Sequence, residues 1–381
     1  MKKYLLMLIA AVFTLETAWA DDAGRIPAKG FAIYSKDGKF QEHNFTRHAV
    51  GDNDVQIEIL YAGICHSDLH AAWDEHRRFG INAIYPMIPG HEIAGRVVKV
   101  GKNVTGFRVG DYAGVGCMVN SCGKCEYCKI NKEQYCQNGT AFTYNSIDPY
   151  NGNEATMGGY SNCIVVTERF AVKIPAGADL KRVAPLLCAG VTTWSPIVLS
   201  NVKKGDTAGV AGYGGLGHMA LRYLVDRGAN VTVFDISEAK RADALRMGAK
   251  RFVNVTRPED LRGLENSFDF IISTIPADYE PLIYVKMLKY AKGELAIVGL
   301  PDNSNINISA MVLAAGQRRV YGSLIGGIKE TQEMLDYSVA HNLYPEVELI
   351  KADAGEIDKA YRNVLDGKVK FRYVIDMSTL K

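Results

Sequence analysis

Four cysteines within fifteen residues, Cys122-x2-Cys125-x2-Cys128-x7-Cys136, constrain this chain more than any other feature. Four thiolates at that spacing can close a tetrahedron around Zn²⁺ and leave no open position, the form of a structural site. The alternative, a pair of local disulfides, would demand very tight loops through evenly packed C-x2-C-x2-C. A second set is scattered: Cys65, then His91-Glu92, then Cys188. Two sulfurs and one imidazole from three distant segments suit a catalytic zinc whose fourth position takes water or substrate. The expectation is two zinc ions per chain with different work to do.

The scattered set is weak residue by residue, and local context sharpens it. Cys65 follows an apolar strand, Val55 to Tyr61, where the chain turns to polar groups. His91 lies in Ile88-Pro-Gly-His-Glu-Ile-Ala-Gly95, a turn that presents His and Glu side by side. Cys188 lies in Pro185-Leu-Leu-Cys-Ala-Gly190 and, taken alone, reads as an inert core cysteine.

Residues 30 to 175 read as β-rich, with short runs at Val55–Leu60, Ile93–Val100 and Ile164–Val166 broken by Gly, Asn and Pro. From Val183 the rhythm changes to strands alternating with helices. Strands are expected at Thr207–Ala211, Asn230–Phe234, Phe268–Ser273, Glu294–Val298 and Val320–Ser323, with a helix ending near Arg227. Gly212, Gly214 and Gly217 follow the first of these strands and open that helix. This is the βαβ setting in which backbone N–H groups and a helix N-terminus hold a pyrophosphate. Asp235, at the end of the second strand, can accept from both ribose hydroxyls of NAD and would repel the 2′-phosphate of NADP.

Several motifs in order, Gly63-Ile-Cys-His-Ser-Asp-Leu-His70, Pro89-Gly-His-Glu-Ile-Ala-Gly95, Gly110-Asp-Tyr-Ala-Gly-Val-Gly116, the four-cysteine lobe, Met157-Gly-Gly-Tyr-Ser161, Leu187-Cys-Ala-Gly-Val-Thr192 and Gly212-Tyr-Gly-Gly-Leu-Gly217, resemble the zinc-dependent medium-chain alcohol dehydrogenases. Within that family they resemble the cinnamyl alcohol dehydrogenase branch, from about residue 29 to the C-terminus. The resemblance implies an α/β protein: a β-rich GroES-like catalytic domain plus a Rossmann-type doubly wound parallel-sheet cofactor domain. The catalytic domain is expected over 21–187 and 325–381, and the dinucleotide-binding domain over 188–324.

The same resemblance assigns roles. Cys65, His91 and Cys188 hold the catalytic zinc, with Asp68 orienting a ligand and Glu92 as a neighbour or transient ligand. Ser67 exchanges the alcohol proton and His70 passes it on through the cofactor ribose. Gly212, Gly214, Gly215, Leu216 and Gly217 form the pyrophosphate loop, and Thr192 and Thr274 contact the diphosphate and ribose. Gly299 and the run Ser323-Leu324-Ile325 line the nicotinamide. Ser237 and Lys240 match the branch's phosphate-binding positions and point to NADP, against the lean of Asp235 to NAD; Lys240 offsetting Asp235 would allow both. Zinc acts as a Lewis acid on the alcohol or carbonyl oxygen, and hydride passes between the substrate carbon and the nicotinamide. The expected substrate is a primary alcohol or its aldehyde, aromatic or medium-chain, and the expected assembly a homodimer. The alternative is an exported zinc-binding protein on the same scaffold without turnover. The intact Ser67, His70, Glu92 and glycine loop speak against it.

Composition narrows the partners. The net charge is +2 with charges interspersed, which gives no nucleic-acid face and no basic membrane-surface helix. The N-terminus has a short basic start (Met1-Lys-Lys), an apolar run through Leu15, and Ala18-Trp-Ala20 before Asp21-Asp22. These are the three parts of a secretory signal over residues 1–20, too short in its apolar region for a confident membrane span. The expectation is an exported protein without stable membrane association after cleavage; a mis-called start codon ahead of a cytoplasmic enzyme is the alternative. Export brings a conflict, because an oxidising compartment threatens thiolates. Zinc captured during folding would protect six of them, leaving Cys117 and Cys163 as spare thiols.

Overall fold

The computed structural model describes residues 24–301 and 305–381, so the segment read as a secretory signal lies outside the described residues. Two sheets organise the chain. The first has seven strands, running Val172–Lys173, Tyr112–Val115, Ile93–Val100, Asp54–Ile64, Tyr373–Asp376, Glu348–Lys351, with Cys163–Thr167 also paired to Asp54–Ile64. Its central strand shows why. Val55, Ile57 and Ile59 are buried and alternate with half-buried neighbours, and from Ala62 to Ile64 every residue is buried. The strand therefore runs from the sheet surface into the interior and delivers Cys65 at its end. Tyr373–Asp376 pairs antiparallel with it, Tyr373 opposite Ile64. A segment made long after Cys65 is thus tied to the strand that carries it.

The second sheet has six parallel strands in the order Arg251–Asn254, Asn230–Asp235, Thr207–Ala211, Phe270–Ser273, Glu294–Ile297, Arg319–Gly322. Numbered along the chain this is 3-2-1-4-5-6, the doubly wound order in which a dinucleotide lies across the strand carboxyl ends where the order reverses. Both faces are covered. Val210, Val231 and Val233 pack into one core, and Ala211 and Phe234 into another with Tyr284 and Leu288. Burial on both faces is why these strands read as apolar runs rather than as alternation.

The strand Arg251–Asn254 was not foreseen from the sequence. It holds only two apolar residues between polar ones, and it exists because Phe252 and Val253 pair beside Val233 and Phe234. The other five strands of this sheet fall within one or two residues of expectation, for example Phe270–Ser273 against Phe268–Ser273. In the first sheet, by contrast, Asp54–Ile64 runs past the expected Leu60, and Tyr112–Val115, Glu348–Lys351 and Tyr373–Asp376 were not foreseen. The four-cysteine lobe is built on the antiparallel pair Met118–Ser121 and Thr140–Phe142, with short helical turns at Glu126–Lys129 and Glu133–Tyr135.

Candidate active site

Three segments converge at the inner end of the first sheet. Cys65 caps the helix His66–Ala72, and Asp68 in its first turn accepts a hydrogen bond from the Cys65 backbone N–H (2.8 Å). His91 follows Gly90, whose φ of +103° suits glycine and whose N–H donates to Asp68 Oδ1 (3.3 Å). Cys188 sits between the turn Ala184–Leu187 and the helix Ala189–Leu199. The Cys65 and Cys188 sulfurs lie 3.9 Å apart, and His91 Nε2 is 3.2 Å from Cys188 Sγ. With Glu92, the four donor atoms lie within 4.8 Å of one another. Zinc–ligand bonds of about 2.0–2.3 Å place tetrahedral donors about 3.3–3.8 Å apart. Two sulfurs and an imidazole at this spacing therefore fit a zinc ion.

The surroundings orient these donors. Asp68 is fully buried; its Oδ1 accepts from His91 Nδ1 (3.0 Å) and its Oδ2 from the Tyr160 hydroxyl (3.0 Å). With Nδ1 committed to Asp68, Nε2 is the nitrogen that faces the sulfurs. The Tyr361 hydroxyl donates in turn to Tyr160 (3.3 Å). A hydrogen bond with Cys188 holds the Cys65 thiol well below its ordinary range, while hydrogen bonds with Cys117 and Cys65 push Cys188 up. The sulfurs thus compete for protons that a cation would displace. Burial pushes the Glu92 carboxyl up to about 8 against the pull of Arg372. Gly63 lies so close beneath Glu92 that any Cβ there would collide with its Oε2.

Ser67 and His70 share the helix His66–Ala72, three residues apart and therefore on one face. Ser67 is exposed. His70 is half-buried, its Nδ1 bonded to Glu75 and its ring stacked on His66 with centroids 4.8 Å apart.

The glycine turn lies across from this centre. Gly212 has φ +88°, and a Cβ on Gly217 would collide with the Gly212 carbonyl, so both positions are restricted to glycine. Gly214 faces open space, with nothing near a Cβ placed there. Gly299 packs against the Ile275 backbone. Thr192 Oγ1 is buried and, among the described residues, has no hydrogen-bond partner. A glycine cradle, with an orphaned hydroxyl on the helix packed against the one the turn opens, fits a dinucleotide. Thr274 lies at the same turn. Its hydroxyl donates to Gly212 O (2.9 Å) and so braces the turn from within. Asp235 is also more occupied than its position suggests. Oδ2 accepts from Tyr213 N–H (2.7 Å) and Lys240 Nζ (3.0 Å), and Oδ1 accepts from Ser237 N–H (2.9 Å). Ser323-Leu324-Ile325 follows the edge strand Arg319–Gly322, with Ile325 at φ +42°.

The lobe cysteines form the second cluster. Cys122 and Cys128 sulfurs are 3.9 Å apart, Cys125 and Cys136 4.0 Å, and all four lie within 4.8 Å of one another. All eight cysteines are free. The fold therefore follows the tetrahedral reading and not the disulfide alternative.

Sequence reasoning passed over Arg372. Its side chain is 6% exposed, Nη1 donates to Ile64 O (3.2 Å), Nη2 lies 3.4 Å from Glu92 Oε1, and the guanidinium packs against Gly215. It bridges the zinc cluster and the glycine turn. The available signal was a lone arginine at the head of the apolar run Tyr-Val-Ile. Tyr160 was quoted inside a motif without a role. Cys117, read as a spare thiol, lies beside Cys188.

Comparison with known proteins agrees with this layout. Residues 51–176 match the family described as "Alcohol dehydrogenase GroES-like domain", and residues 215–340 match "Zinc-binding dehydrogenase". A solved structure, the CAD from Helicobacter pylori complexed with NADP(H), is 53% identical with a TM-score of 0.86, covering 93% of this chain and 99% of that one. The Bacillus subtilis (strain 168) protein named "Probable formaldehyde dehydrogenase AdhA" is 45% identical over 90% of this chain and 95% of its own length. The NADP-dependent alcohol dehydrogenase C 1 of Mycolicibacterium smegmatis is 44% identical over 92% of this chain and 98% of its own.

Proposed function

The chain belongs to the zinc-binding alcohol dehydrogenases, a family of zinc-dependent oxidoreductases that move hydride between an alcohol or aldehyde and NAD(P), and from that premise we propose that its substrates are primary alcohols and their aldehydes, aromatic or medium-chain. The observation that carries the reading is the convergence of the Cys65 and Cys188 sulfurs and His91 Nε2, joined to the glycine turn through Arg372. Zinc held there supplies a Lewis acid for the substrate oxygen, and the bound dinucleotide supplies or takes the hydride. The chain's own residues do the rest. Asp68 fixes the His91 ring, and Glu92 with Arg372 sets the charge behind the ligands. Ser67 takes the proton from the alcohol oxygen, or returns it, and His70, whose Nδ1 is anchored by Glu75, leads it outward. Gly212 to Gly217 receive the pyrophosphate, with Thr192 donating to it. Gly299 and Ser323 to Ile325 line the nicotinamide.

An assay of the purified protein with NADH and NADPH against a panel of aldehydes tests this reading. Protein that carries both zinc ions yet turns over none of them would leave a zinc-binding scaffold. Within the active protein, Ser67→Ala is expected to lower kcat by roughly 10²-fold or more with zinc content unchanged, since it removes a proton path and no ligand. An unaltered rate, with hydride transfer shown to be limiting by a deuterium effect, would make Ser67 a turn hydroxyl.

The wider setting is inferred on separate grounds. Arg319–Gly322 is an edge strand, and Leu300 and Met311 before it are exposed, which supports a homodimer through that edge; light scattering at the monomer mass would overturn it. The three-part N-terminus supports export of a mature chain beginning near Asp21, and a full-length mass for the native protein would overturn that. Among the described residues no single helix is long and apolar enough to cross a membrane, and no membrane or nucleic-acid partner is proposed.

A further inference from the structure

The cysteine lobe does more than close on its own cluster. Residues 131–135, held between Cys128 and Cys136, reach segment 324–330 on both sides of Ile325. On one side the Tyr135 hydroxyl accepts a hydrogen bond from Leu324 N–H (3.3 Å). On the other, Glu133 Oε2 accepts from Ile328 N–H (3.1 Å). The Asn131 carbonyl packs so tightly against Gly327 that any Cβ at that position would collide with it. Lys132 Nζ bonds Glu330 Oε2 (2.8 Å), and that oxygen also accepts from Gly327 N–H (3.2 Å). Glu133 is only 6% exposed, and its own carbonyl accepts from Thr140 Oγ1 (2.7 Å) in the lobe's second strand. The contacts therefore run from the lobe's framework to the backbone of the segment.

Ile325 sits between these contacts with φ +42°. A β-branched residue in the left-handed region is strained by about 1–3 kcal/mol and keeps that shape only where its surroundings hold it. Ile325 and Ile328 pack on the core of the first sheet, and the lobe holds the backbone, on the residue just before Ile325 and on the second and third residues after it.

We propose that the structural zinc lobe is a clamp on the nicotinamide wall. Tyr135 and Glu133 are positioning residues that keep the Leu324–Ile328 backbone in the shape that receives the nicotinamide end of the cofactor. The proposal rests on the reading that Ser323 to Ile325 line the nicotinamide. It would give a zinc ion in the lobe a part in cofactor binding as well as in stability, because Cys128 and Cys136, which would hold it, stand at the two ends of the short loop that carries the clamp.

The test uses the zinc-loaded full chain with Tyr135→Phe, Lys132→Met and the pair Tyr135→Phe with Glu133→Leu. Affinity for whole reduced cofactor is read by nucleotide fluorescence. Affinity for ADP-ribose or its 2′-phosphate, which lack nicotinamide, is read by competition. The expected result is whole-cofactor affinity weakened roughly tenfold in the pair, with fragment affinity held within about twofold and zinc content unchanged. Equal weakening for both ligands would make this a domain-wide effect and overturn the clamp, as would no change for either. If the pair fails to fold, the two single variants, which alter partly exposed side chains, are judged by the same comparison with a smaller shift. Leu324→Trp separates the premise, since it adds bulk on an exposed side chain without removing a backbone bond. If it leaves whole-cofactor affinity intact, the wall is elsewhere and the clamp falls with it. If it weakens whole-cofactor affinity while the lobe variants do not, the clamp falls alone.

Discussion

A Cys65→Ala variant is expected to lose roughly 10³-fold or more in kcat/KM, because the Lewis acid it helps to hold is worth several kcal/mol in the transition state. The same variant should unfold near the temperature of the unmutated protein and keep the zinc of the lobe. The reason is local. Asp68 accepts from the Cys65 backbone N–H, a bond that alanine preserves, so the helix cap survives the loss of the sulfur. What remains, Cys188 and His91, is too few strong donors for the ion. Cys125→Ala should behave in the opposite sense. It breaks a cluster in which every sulfur has another within 3.9 or 4.0 Å, and a closed tetrahedral site contributes folding energy directly. That variant should lose the lobe's ion and melt earlier. The pair is read by metal analysis and thermal unfolding. A single zinc per unmutated chain, after purification without chelators, would sink the two-site reading.

The second large effect concerns the choice of dinucleotide. Asp235→Ser should move the kcat/KM preference toward NADPH on the order of 10²-fold, as a charge repulsion gives way to a charge-assisted hydrogen bond from Lys240. The geometry adds a signature that the sequence alone did not suggest. Asp235 accepts from two backbone N–H groups and from Lys240, so its carboxylate already occupies donors that a 2′-phosphate would use. Serine leaves some of them without a partner, at a cost of about 1–3 kcal/mol for each buried group. The variant should therefore melt lower without cofactor, and NADP should restore more of that loss than NAD. Equal restoration by the two dinucleotides would show that the freed donors do not meet the phosphate. A strong NADPH preference in the unmutated protein would mean that Lys240 leaves Asp235 readily, and the serine variant would then add little.

Features written in short spacing were legible in the sequence. The cysteine lobe was readable because its ligands are local, and Gly212 to Gly217 because strand, turn and helix follow one another. Cys188 was not legible by itself; only its distance to His91 and Cys65 separates it from a core thiol. Arg372 was missed because its partners, Ile64, Glu92 and Gly215, are remote in sequence and meet only through strand pairing at Tyr373. Thr274 was assigned to the cofactor on resemblance, and its bond to the Gly212 carbonyl joins segments too remote for the sequence to show it. The strand Arg251–Asn254 carried too little apolar signal to be seen without its neighbour.

The pairing of Tyr373–Asp376 with Asp54–Ile64 also has a consequence in time. The six parallel strands lie in one unbroken stretch, from Thr207 to Gly322, and can find one another while the chain is still being made. The first sheet cannot, since its inner strand Tyr373–Asp376 is made only after the whole parallel sheet. Closing so long a loop is entropically costly and slow relative to local pairing. Arg372 and the strand that fixes it thus arrive after the ligands they stand behind. A ribosome-bound chain halted before residue 370 is expected to hold the cysteine lobe and the parallel sheet in protease-resistant form, yet to be inert as a catalyst until Tyr373–Asp376 is released.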